Sequence, residues 1–568
     1  MATKLKPVDV AVIGLGAAGG VAVLPLARAG LKVAGIEAGT WMDPHRDFHA
    51  DEVYNNVRRL VSSSPKAQRE CPTVRATPSD QARSAGVHPM MNAIGGTSIH
   101  YWAQSWRLKP WDFRTRSESI RRYGPGSIPA GSTLEDWPLT YDDLEPYYDI
   151  IEQEVGVSGK AGNIQGRIDS SGNVFEGPRQ REYPMPPLRG AGFTDHMMDA
   201  ARQLGWKPFR PPAAINSQTY RGRASCVFHG YCSAGGCHVG AKNSTATTTI
   251  PDAVRTKNLT IFDKAQVTRI IDDSNGRVTG VNYIRDRKEY FQPAKIVLLA
   301  GYTYENSRLL LLSKSKAYPN GLSNNHGQVG RHYFGHWTSN VSALFPYDLN
   351  VWYGLPAQGA TVDEWADDSF DHAGLGFIGG ASLHVYTERH PIDAAAMNTY
   401  GRAPLFGSAW KKFVHENAGR VASTYLQTNT FPYETTFLDL DTEVRDPLGD
   451  PVCRITSGGV RQNEQRALQH AQSKMEEWFR AAGAIEITKP PAIGPGISTH
   501  AAGGTRMGDN LETNVVDRWG FSHEAPNLGV LGASVMGSSG ARNPTLTLQA
   551  LAWRTAEYLV KNWKSLAG

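Results

Sequence analysis

The chain has 568 residues but only five cysteines. An odd and sparse cysteine count is unusual in a small secreted protein, so the sequence argues against a disulfide scaffold. No stretch of about 18 apolar residues suggests a transmembrane helix, and no apolar signal segment precedes the first predicted strand. These absences predict a cytoplasmic protein that has no membrane partner.

The chain also carries little net charge. The net charge is +5, charged residues make up 20% of the chain, and Lys and Arg form no basic run. Nucleic acid is therefore not expected as a partner, and a neutral or weakly polar substrate is favoured. The length exceeds what one hydrophobic core supports, so two or more domains are expected.

The first motif that is present is a βαβ unit at the N-terminus. Apolar residues over 8–14 predict a strand, and the small residues over 17–29 predict a helix. Residues 31–36 predict a second strand, which ends at the acidic Glu37. A Gly-rich turn between such a strand and helix is typical of dinucleotide-binding proteins.

The glycines of this turn have distinct mechanical roles. Gly14 makes the tight turn, Gly16 lets the backbone approach a pyrophosphate, and Gly19 lets the helix pack on the strand. Glu37 is expected to accept hydrogen bonds from the ribose hydroxyls, which argues against a 2′-phosphate. The predicted nucleotide contacts of this unit are Gly14, Leu15, Gly16, Ala17, Ala18, Gly19 and Glu37.

Further nucleotide-like segments recur along the chain, which favours FAD over NAD because a simple NAD enzyme has one compact nucleotide domain. We predict a discontinuous α/β FAD-binding Rossmann-like domain and an α+β substrate domain on a largely antiparallel sheet. The polar, non-periodic residues 41–89 predict a lid or insert loop. The predicted FAD domain comprises 1–40, 90–110, 225–335 and 495–568, and the substrate domain 111–224 and 336–494.

The chain resembles the glucose-methanol-choline (GMC) flavin oxidoreductases in motifs at both ends and in the middle. Residues 136–148 and 183–187 make it most similar to the sugar-oxidising branch. That branch includes pyranose oxidases, the large subunits of bacterial sugar dehydrogenases and bacterial glycoside 3-oxidases. The resemblance is carried by Gly14, Gly16, Gly19, Glu37, Gly95, Gly96, Thr97, Ser98, Arg107, Ala300, Gly301, Gly330, Arg331, His500, Asn527, Leu528, Asn543, Pro544 and Thr545.

The resemblance implies FAD as the cofactor and a His/Asn pair at the reacting carbon. His500 is expected to accept the hydroxyl proton, and Asn543 to orient the substrate hydroxyl. Many family members carry an aspartate where this chain has Gly532, which puts one flavin hydrogen bond in doubt. The further FAD contacts that the resemblance implies are Gly95, Gly96, Thr97, His100, Tyr101, Trp102, Val267, Ala300, Gly532, Ala533 and Thr545.

His100 lies in a segment similar to the one through which pyranose oxidases attach FAD covalently to histidine. Related sugar dehydrogenases keep a histidine here without that bond, so non-covalent FAD is favoured and a link through His100 is the alternative. Tyr101 and Trp102 are then expected to face the flavin ring.

Cys226, Cys232 and Cys237 cluster in one short segment. Some sugar dehydrogenase subunits bind an iron–sulfur cluster through cysteines in the matching region. Here the spacing differs, and His229 stands where related sequences often carry another cysteine. We therefore favour a structural role for the thiols over an iron–sulfur or zinc site and predict no metal ligand.

The preferred function is the FAD-dependent oxidation of a secondary hydroxyl of a pyranose or glycoside to a ketone, with C3 of a glucoside as the preferred position. O₂ or another acceptor would reoxidise the flavin. One alternative is a sugar dehydrogenase subunit that feeds an iron–sulfur cluster and a cytochrome, and another is a carbohydrate-binding flavoprotein with structural FAD. Trp352, Tyr353 and Tyr386 are candidates to stack on the sugar or aglycone. The sequence leaves the oligomeric state open.

Overall fold

The computed structural model describes residues 2–54, 70–86, 90–233, 235–352, 354–492, 494 and 496–568. An eight-stranded mixed sheet carries the N-terminal motif. Its central strands are rich in Val, Ile and Leu because a parallel strand is buried on both faces. The strands lie in the order Leu259–Phe262, Val33–Ile36, Val8–Ile13, Lys288–Leu299, Val278–Arg285 and Gln266–Asp272, with Thr3–Lys4 and Leu528–Val530 beside Lys288–Leu299.

The long strand Lys288–Leu299 joins two kinds of pairing. Its first half is antiparallel to Val278–Arg285, and its second half is parallel to Val8–Ile13. The same second half pairs in parallel with Leu528–Val530. The C-terminal part of the chain is thereby brought to the sheet edge where the N-terminal glycine turn lies.

Helix Ala17–Arg28 follows the glycine turn and packs against Thr545–Lys561 and Thr249–Arg255. Small residues permit this approach. A Cβ added to Gly19 would lie 2.0 Å from the carbonyl oxygen of Gly14, so only glycine fits there. Helix Thr545–Lys561 also packs against Tyr141–Ile151, which fixes the C-terminal helix between two layers.

A second sheet of six short strands confirms the predicted antiparallel part of the fold. Its helix-facing core includes Leu426, Met475 and Trp478, all fully buried. The strands are Ala360–Val362, Ala381–Val385, Val421–Thr428, Ser342–Leu344, Glu486–Thr488 and Thr338–Ser339, and the covering helices are Gly192–Gln203 and Gln462–Ala481.

A third sheet differs from expectation. Phe437–Arg445 and Pro451–Thr456 lie within 336–494, the range predicted for the substrate domain, but they form a separate sheet against helix Thr303–Leu312, which follows the nucleotide-binding sheet. Strands Thr73–Arg75 and Arg83–Ser84 extend it. The expectation that 41–89 lacks regular structure is therefore wrong for these strands, and residues 55–69 and 87–89 lie outside the described residues.

The remaining elements are short. Among the described residues, none of the helices combines the length and apolar character that a membrane crossing requires. Two small ladders pair Phe334–Gly335 with Ala501–Ala502 and Asn163–Ile164 with Arg167–Ile168. The other helical segments are Pro44–Asp47, Gly96–Ile99, Pro110–Phe113, Thr115–Tyr123, Pro125–Ser127, Glu152–Gly156, Pro356–Gln358, Pro391–Ala394, Gly407–Asn417, Ala418–Arg420, Ala533–Val535 and Trp563–Ala567.

A buried ion network ties the helix Tyr141–Ile151 to the segment that leads from the glycine loop. Arg107 Nε and Nη2 donate to the two carboxylate oxygens of Glu152 at 2.8 and 2.9 Å, and Nη1 donates to Glu145 at 2.8 Å. Arg179 also donates to Glu152. Because all these groups are buried, removing one charge leaves others uncompensated.

We expect Glu152→Gln to destabilise the holoenzyme by about 3–5 kcal/mol, because Arg107 would keep only Glu145, and Arg179 only the more distant Glu176, as a carboxylate partner. The measurement is the midpoint of urea unfolding followed by fluorescence. Glu118→Gln is the matched control, since its exposed pair with Arg121 contributes at most about 1 kcal/mol. Equal midpoints for the two variants would contradict this account of the network.

Candidate active site

A cavity of about 490 Å³ opens at the carboxyl ends of the parallel strands. The residues that directly follow four of those strands, Gly14, Glu37, Ala300 and Leu531, all line it. This edge is where open α/β sheets bind ligands. The predicted site residues that line the cavity are Gly14, Gly16, Ala17, Ala18, Glu37, Gly96, Thr97, His100, Tyr101, Trp102, Val267, Ala300, His500, Gly532, Ala533, Asn543 and Thr545.

The other three predicted contacts, Leu15, Gly19 and Gly95, shape the turn behind the cavity wall. The backbone N–H of Leu15 donates to Glu37 Oε2 at 2.9 Å, and the carbonyl of Leu15 accepts from Gly95 N at 2.8 Å. Glu37 Oε1 accepts from Gly39 N at 2.9 Å. The buried carboxylate is thus held by backbone donors at the cavity wall, and a carboxylate there is suited to accept from ribose hydroxyls.

Two glycine loops meet along one wall of the cavity. A Cβ on Gly96 would lie 2.9 Å from the Cα of Gly16, and a Cβ on Gly14 would lie 2.6 Å from the carbonyl oxygen of Ala300. Gly14 and Gly96 have φ of +87° and +55°, which glycine adopts without strain. The wall is therefore bare backbone, as close approach of a pyrophosphate requires.

His500 and Asn543 meet in the same cavity as expected. Trp106 Nε1 donates to Asn543 Oδ1 at 3.0 Å. An indole N–H can only donate, so the amide nitrogen of Asn543 must face the other way. That nitrogen, Nδ2, donates to His500 Nε2 at 3.2 Å.

His336 completes this arrangement, and the sequence did not single it out. The ladder of Phe334–Gly335 with Ala501–Ala502 places residue 336 opposite residue 500. His336 Nε2 lies 2.9 Å from the carbonyl oxygen of Gly540 and therefore donates. In a neutral ring its Nδ1 then accepts from His500 Nδ1–H, at 3.2 Å. His500 Nε2 then carries no proton, and its one lone pair, which accepts from Asn543 Nδ2, can take a substrate proton once the substrate hydroxyl replaces that hydrogen bond.

Enclosure keeps both imidazoles neutral. Burial, followed by repulsion from His336, lowers the pKa of His500 to about 3. Burial also lowers the pKa of His336 to about 4. Since a positive charge is disfavoured on either ring, a proton that His500 accepts from a substrate is held at a raised free energy and is readily passed on.

Aromatic side chains surround the pair. The ring of Trp102 lies 5.0 Å from that of Tyr386 and 5.6 Å from that of Tyr425. Trp106 lies 5.4 Å from His384. Of the aromatic residues predicted to contact substrate, Tyr386 packs against the cavity-lining Trp102 without lining the cavity itself, Trp352 lies near Gly230, and Tyr353 lies outside the described residues.

His100 also lines the cavity. Its Nε2 is buried and has no hydrogen-bond partner among the described residues. Burial lowers the pKa of this imidazole to about 4. A neutral, unpartnered ring nitrogen at this position indicates that a bound group completes the site.

The three clustered cysteines line a separate small cavity together with His229. Cys226, Cys232 and Cys237 are all free thiols. Burial raises the pKa of Cys226 to about 11 and that of Cys232 to about 12. Within the described ranges, no group of His, Cys, Asp and Glu side chains is arranged to hold a metal ion.

Residues 132–338 match the N-terminal domain of GMC oxidoreductase, and residues 432–552 match its C-terminal domain. The chain therefore belongs to the GMC oxidoreductase family. This finding confirms the predicted family, the FAD-binding Rossmann-like fold and the expectation of an enzyme.

Individual relatives extend the comparison. The gluconate 2-dehydrogenase flavoprotein of Pantoea cypripedii is 29% identical over 98% of this chain and 94% of its own. The C-glycoside 3-oxidase of Arthrobacter globiformis is 32% identical over 54% of each chain. Pyridoxine 4-oxidase from Mesorbium loti has the same fold, with a TM-score of 0.62 at 15% identity over 97% of this chain and 99% of that one.

The cavity fits the FAD that the family fold implies. Glu37 and the bare wall at Gly14, Gly16 and Gly96 suit the ribose and pyrophosphate. The unpartnered His100 and the His500–Asn543 pair lie in the same cavity. FAD, when bound, supplies the acceptor for a hydride.

We expect His336→Phe to slow anaerobic flavin reduction about 10- to 100-fold, or about 1.4–2.8 kcal/mol, while FAD content stays unchanged. Phenylalanine fills the space but offers neither ring nitrogen, so the tautomer of His500 is no longer fixed. His336→Asn should recover part of the rate, because its amide can donate to Gly540 and accept from His500. Stopped-flow absorbance measures the rate, and equal rates for both variants and wild type would remove His336 from the mechanism.

The lowered pKa of His500, about 3, predicts how the reduction rate depends on pH. The neutral ring is the active form and persists as long as pH exceeds that value, so the rate should be flat between about pH 5 and 8. An ordinary histidine would instead lose activity below about pH 6.5. An inflection near that pH in single-turnover reduction would show that His500 is not held neutral as described.

Proposed function

We propose that this enzyme oxidises a secondary hydroxyl of a pyranose sugar or glycoside to a ketone, with C3 of a glucoside as the preferred position. The observation that supports this most directly is the unprotonated Nε2 of His500, which is held beside Asn543 in the FAD cavity. A base next to a hydride acceptor is what alcohol oxidation needs.

In the proposed reaction the hydroxyl proton moves to His500 Nε2 as the carbon gives up its hydride. Asn543 Nδ2 lies on the same side of the imidazole and can donate to the substrate oxygen. The orientation of its amide is set by Trp106, so the donor is in place before the substrate binds. The aromatic side chains of Trp102 and Tyr425, which line the cavity, offer apolar faces on which sugar C–H groups can pack, and Tyr386 supports Trp102 from behind.

Two relatives support a sugar-type substrate, since one is a gluconate 2-dehydrogenase flavoprotein and another a C-glycoside 3-oxidase. We propose that FAD binds without a covalent bond, with His100 beside the flavin. A link through the buried Nε2 of His100 is the alternative. Release of free FAD on acid precipitation supports the first, and yellow pelleted protein supports the second.

For the electron acceptor we propose O₂ or another small molecule. The alternative, transfer to an iron–sulfur cluster and a cytochrome, is favoured by the similarity to a dehydrogenase flavoprotein. The spacing of Cys226, Cys232 and Cys237, with His229 among them, supports the small acceptor, because it departs from the cysteine pattern of subunits that bind a cluster. An iron assay and an oxygen electrode distinguish the two.

We expect aryl or alkyl glucosides to bleach the flavin anaerobically with higher kcat/KM than free glucose, with a ketone as product. The reason is the lid that we propose for residues 41–89, in whose described part Glu52 accepts a hydrogen bond from the backbone N–H of Ile392. His500→Ala should keep FAD and lose most of this bleaching, and Asn543→Ala should lose less. The absence of bleaching by any sugar would refute a sugar oxidation, and full activity of His500→Ala would refute its role as base.

A further inference from the structure

Gln104 lies between two residues of the aromatic site. On one side of it in the chain, Trp102 contacts Tyr425 at 5.6 Å, and on the other the indole of Trp106 donates to Asn543. The backbone of Gln104 is fixed by a bridge to Ala213. Its side chain lines the cavity, and it is 3% exposed. Gln104 therefore lies on the cavity wall between Trp102, which also lines the cavity, and Trp106, which holds Asn543.

The buried side-chain amide oxygen of Gln104, Oε1, has no hydrogen-bond partner in the part of the chain that the structure describes. Leaving a buried amide unpaired costs about 1–3 kcal/mol, so such a group in a binding cavity indicates a ligand that pairs with it. A primary amide both donates and accepts, which matches a hydroxyl group.

The charged side chains that line the cavity have partners other than Gln104. Glu37 is held by the glycine turn, Arg308 is paired with Asp446, and Arg269 is paired with Asp450. Over the described residues, the charged side chains that line the cavity are Glu37, Glu70, Glu305, Arg308, Asp446 and Asp450, and they contact Leu15, Gly39, Gln266, Arg269 and one another.

One cation does lie next to the catalytic pair in the chain, but it is already compensated. Arg542 Nη2 donates to Asp363 at 2.7 Å and lies 3.3 Å from Asp367. All three side chains are buried. Recruiting Arg542 for a substrate carboxylate would break these pairs and leave buried carboxylates uncompensated.

We propose that Gln104 hydrogen-bonds a substrate hydroxyl and that the uncharged surroundings of His500 reject sugar acids in favour of neutral sugars. The inference rests on the proposed sugar oxidation and narrows its substrate class. A carboxylate in this position would lose its hydration without gaining a cation, which costs several kcal/mol. The enzyme would then differ in specificity from the gluconate dehydrogenase flavoprotein that it resembles.

The test compares anaerobic flavin reduction of the holoenzyme by methyl xyloside and by methyl glucuronide. Both lack a C6 hydroxyl, and only the glucuronide carries a carboxylate, so oxidation at C6 cannot account for a difference. We expect kcat/KM to be at least about 100-fold higher for the xyloside. A glucuronide value within about threefold of the xyloside value would overturn the proposal while leaving the proposed sugar oxidation intact.

Two variants test Gln104 itself. Gln104→Leu should raise KM for the xyloside about tenfold or more, with a smaller change in kcat and an unchanged flavin spectrum. Gln104→Arg should raise the glucuronide-to-xyloside ratio of kcat/KM about tenfold. Gln469→Leu, at an exposed position of helix Gln462–Ala481, is the matched control and should leave both sugars unaffected.

An unchanged KM in Gln104→Leu would overturn the assigned contact, even if the variant with arginine fails to fold. Reduction by neither sugar, with reduction by simple diols instead, would refute the proposed function and this inference together. Reduction by both sugars alike would refute this inference alone.

Discussion

The active site depends on a chain of hydrogen bonds whose two ends each allow one direction only. At one end the indole of Trp106 can only donate, and at the other the carbonyl of Gly540 can only accept. With neutral rings, every proton between them is thereby assigned through Asn543, His500 and His336. The lone pair of His500 Nε2 is a consequence of these terminal groups. The indole of Trp106 and the carbonyl of Gly540 do not titrate, so the direction of these hydrogen bonds does not change with pH as long as both imidazoles are neutral.

The fold brings those groups together from distant parts of the chain. Trp106 follows the glycine loop at Gly95 and Gly96. His336 follows a short strand that pairs with the residues directly after His500. Gly540 and Asn543 precede the C-terminal helix, which packs on the helix of the N-terminal motif. The mixed pairing of strand Lys288–Leu299 is the common reference for these segments, since it holds both the N-terminal strand and Leu528–Val530.

The sequence predicted those strands, turns and helices that are determined by residues close together in the chain. The strand–turn–helix at Gly14 and the buried strand before Ala300 were recognisable, because glycine spacing and apolar runs act over a few residues. The alternating pattern at Phe437–Arg445 indicates a strand, but it does not reveal the sheet, since the neighbouring strand Pro451–Thr456 pairs with Thr73–Arg75 across hundreds of positions. The roles of His336 and Trp106 were not predicted from the sequence for the same reason. The only nearby signal was the Gly330–Arg331 motif, which precedes His336.

The contribution of Leu528–Val530 to the nucleotide-binding sheet has a consequence for biogenesis. The N-terminal glycine turn leaves the ribosome early, yet one wall of its cavity is built from Gly532, Ala533 and Thr545. A growing chain therefore displays half a cofactor site for most of its synthesis. Flavin capture must wait for the last segment to emerge and enter the sheet, so cofactor loading is a step that follows translation and reports that the whole chain has folded.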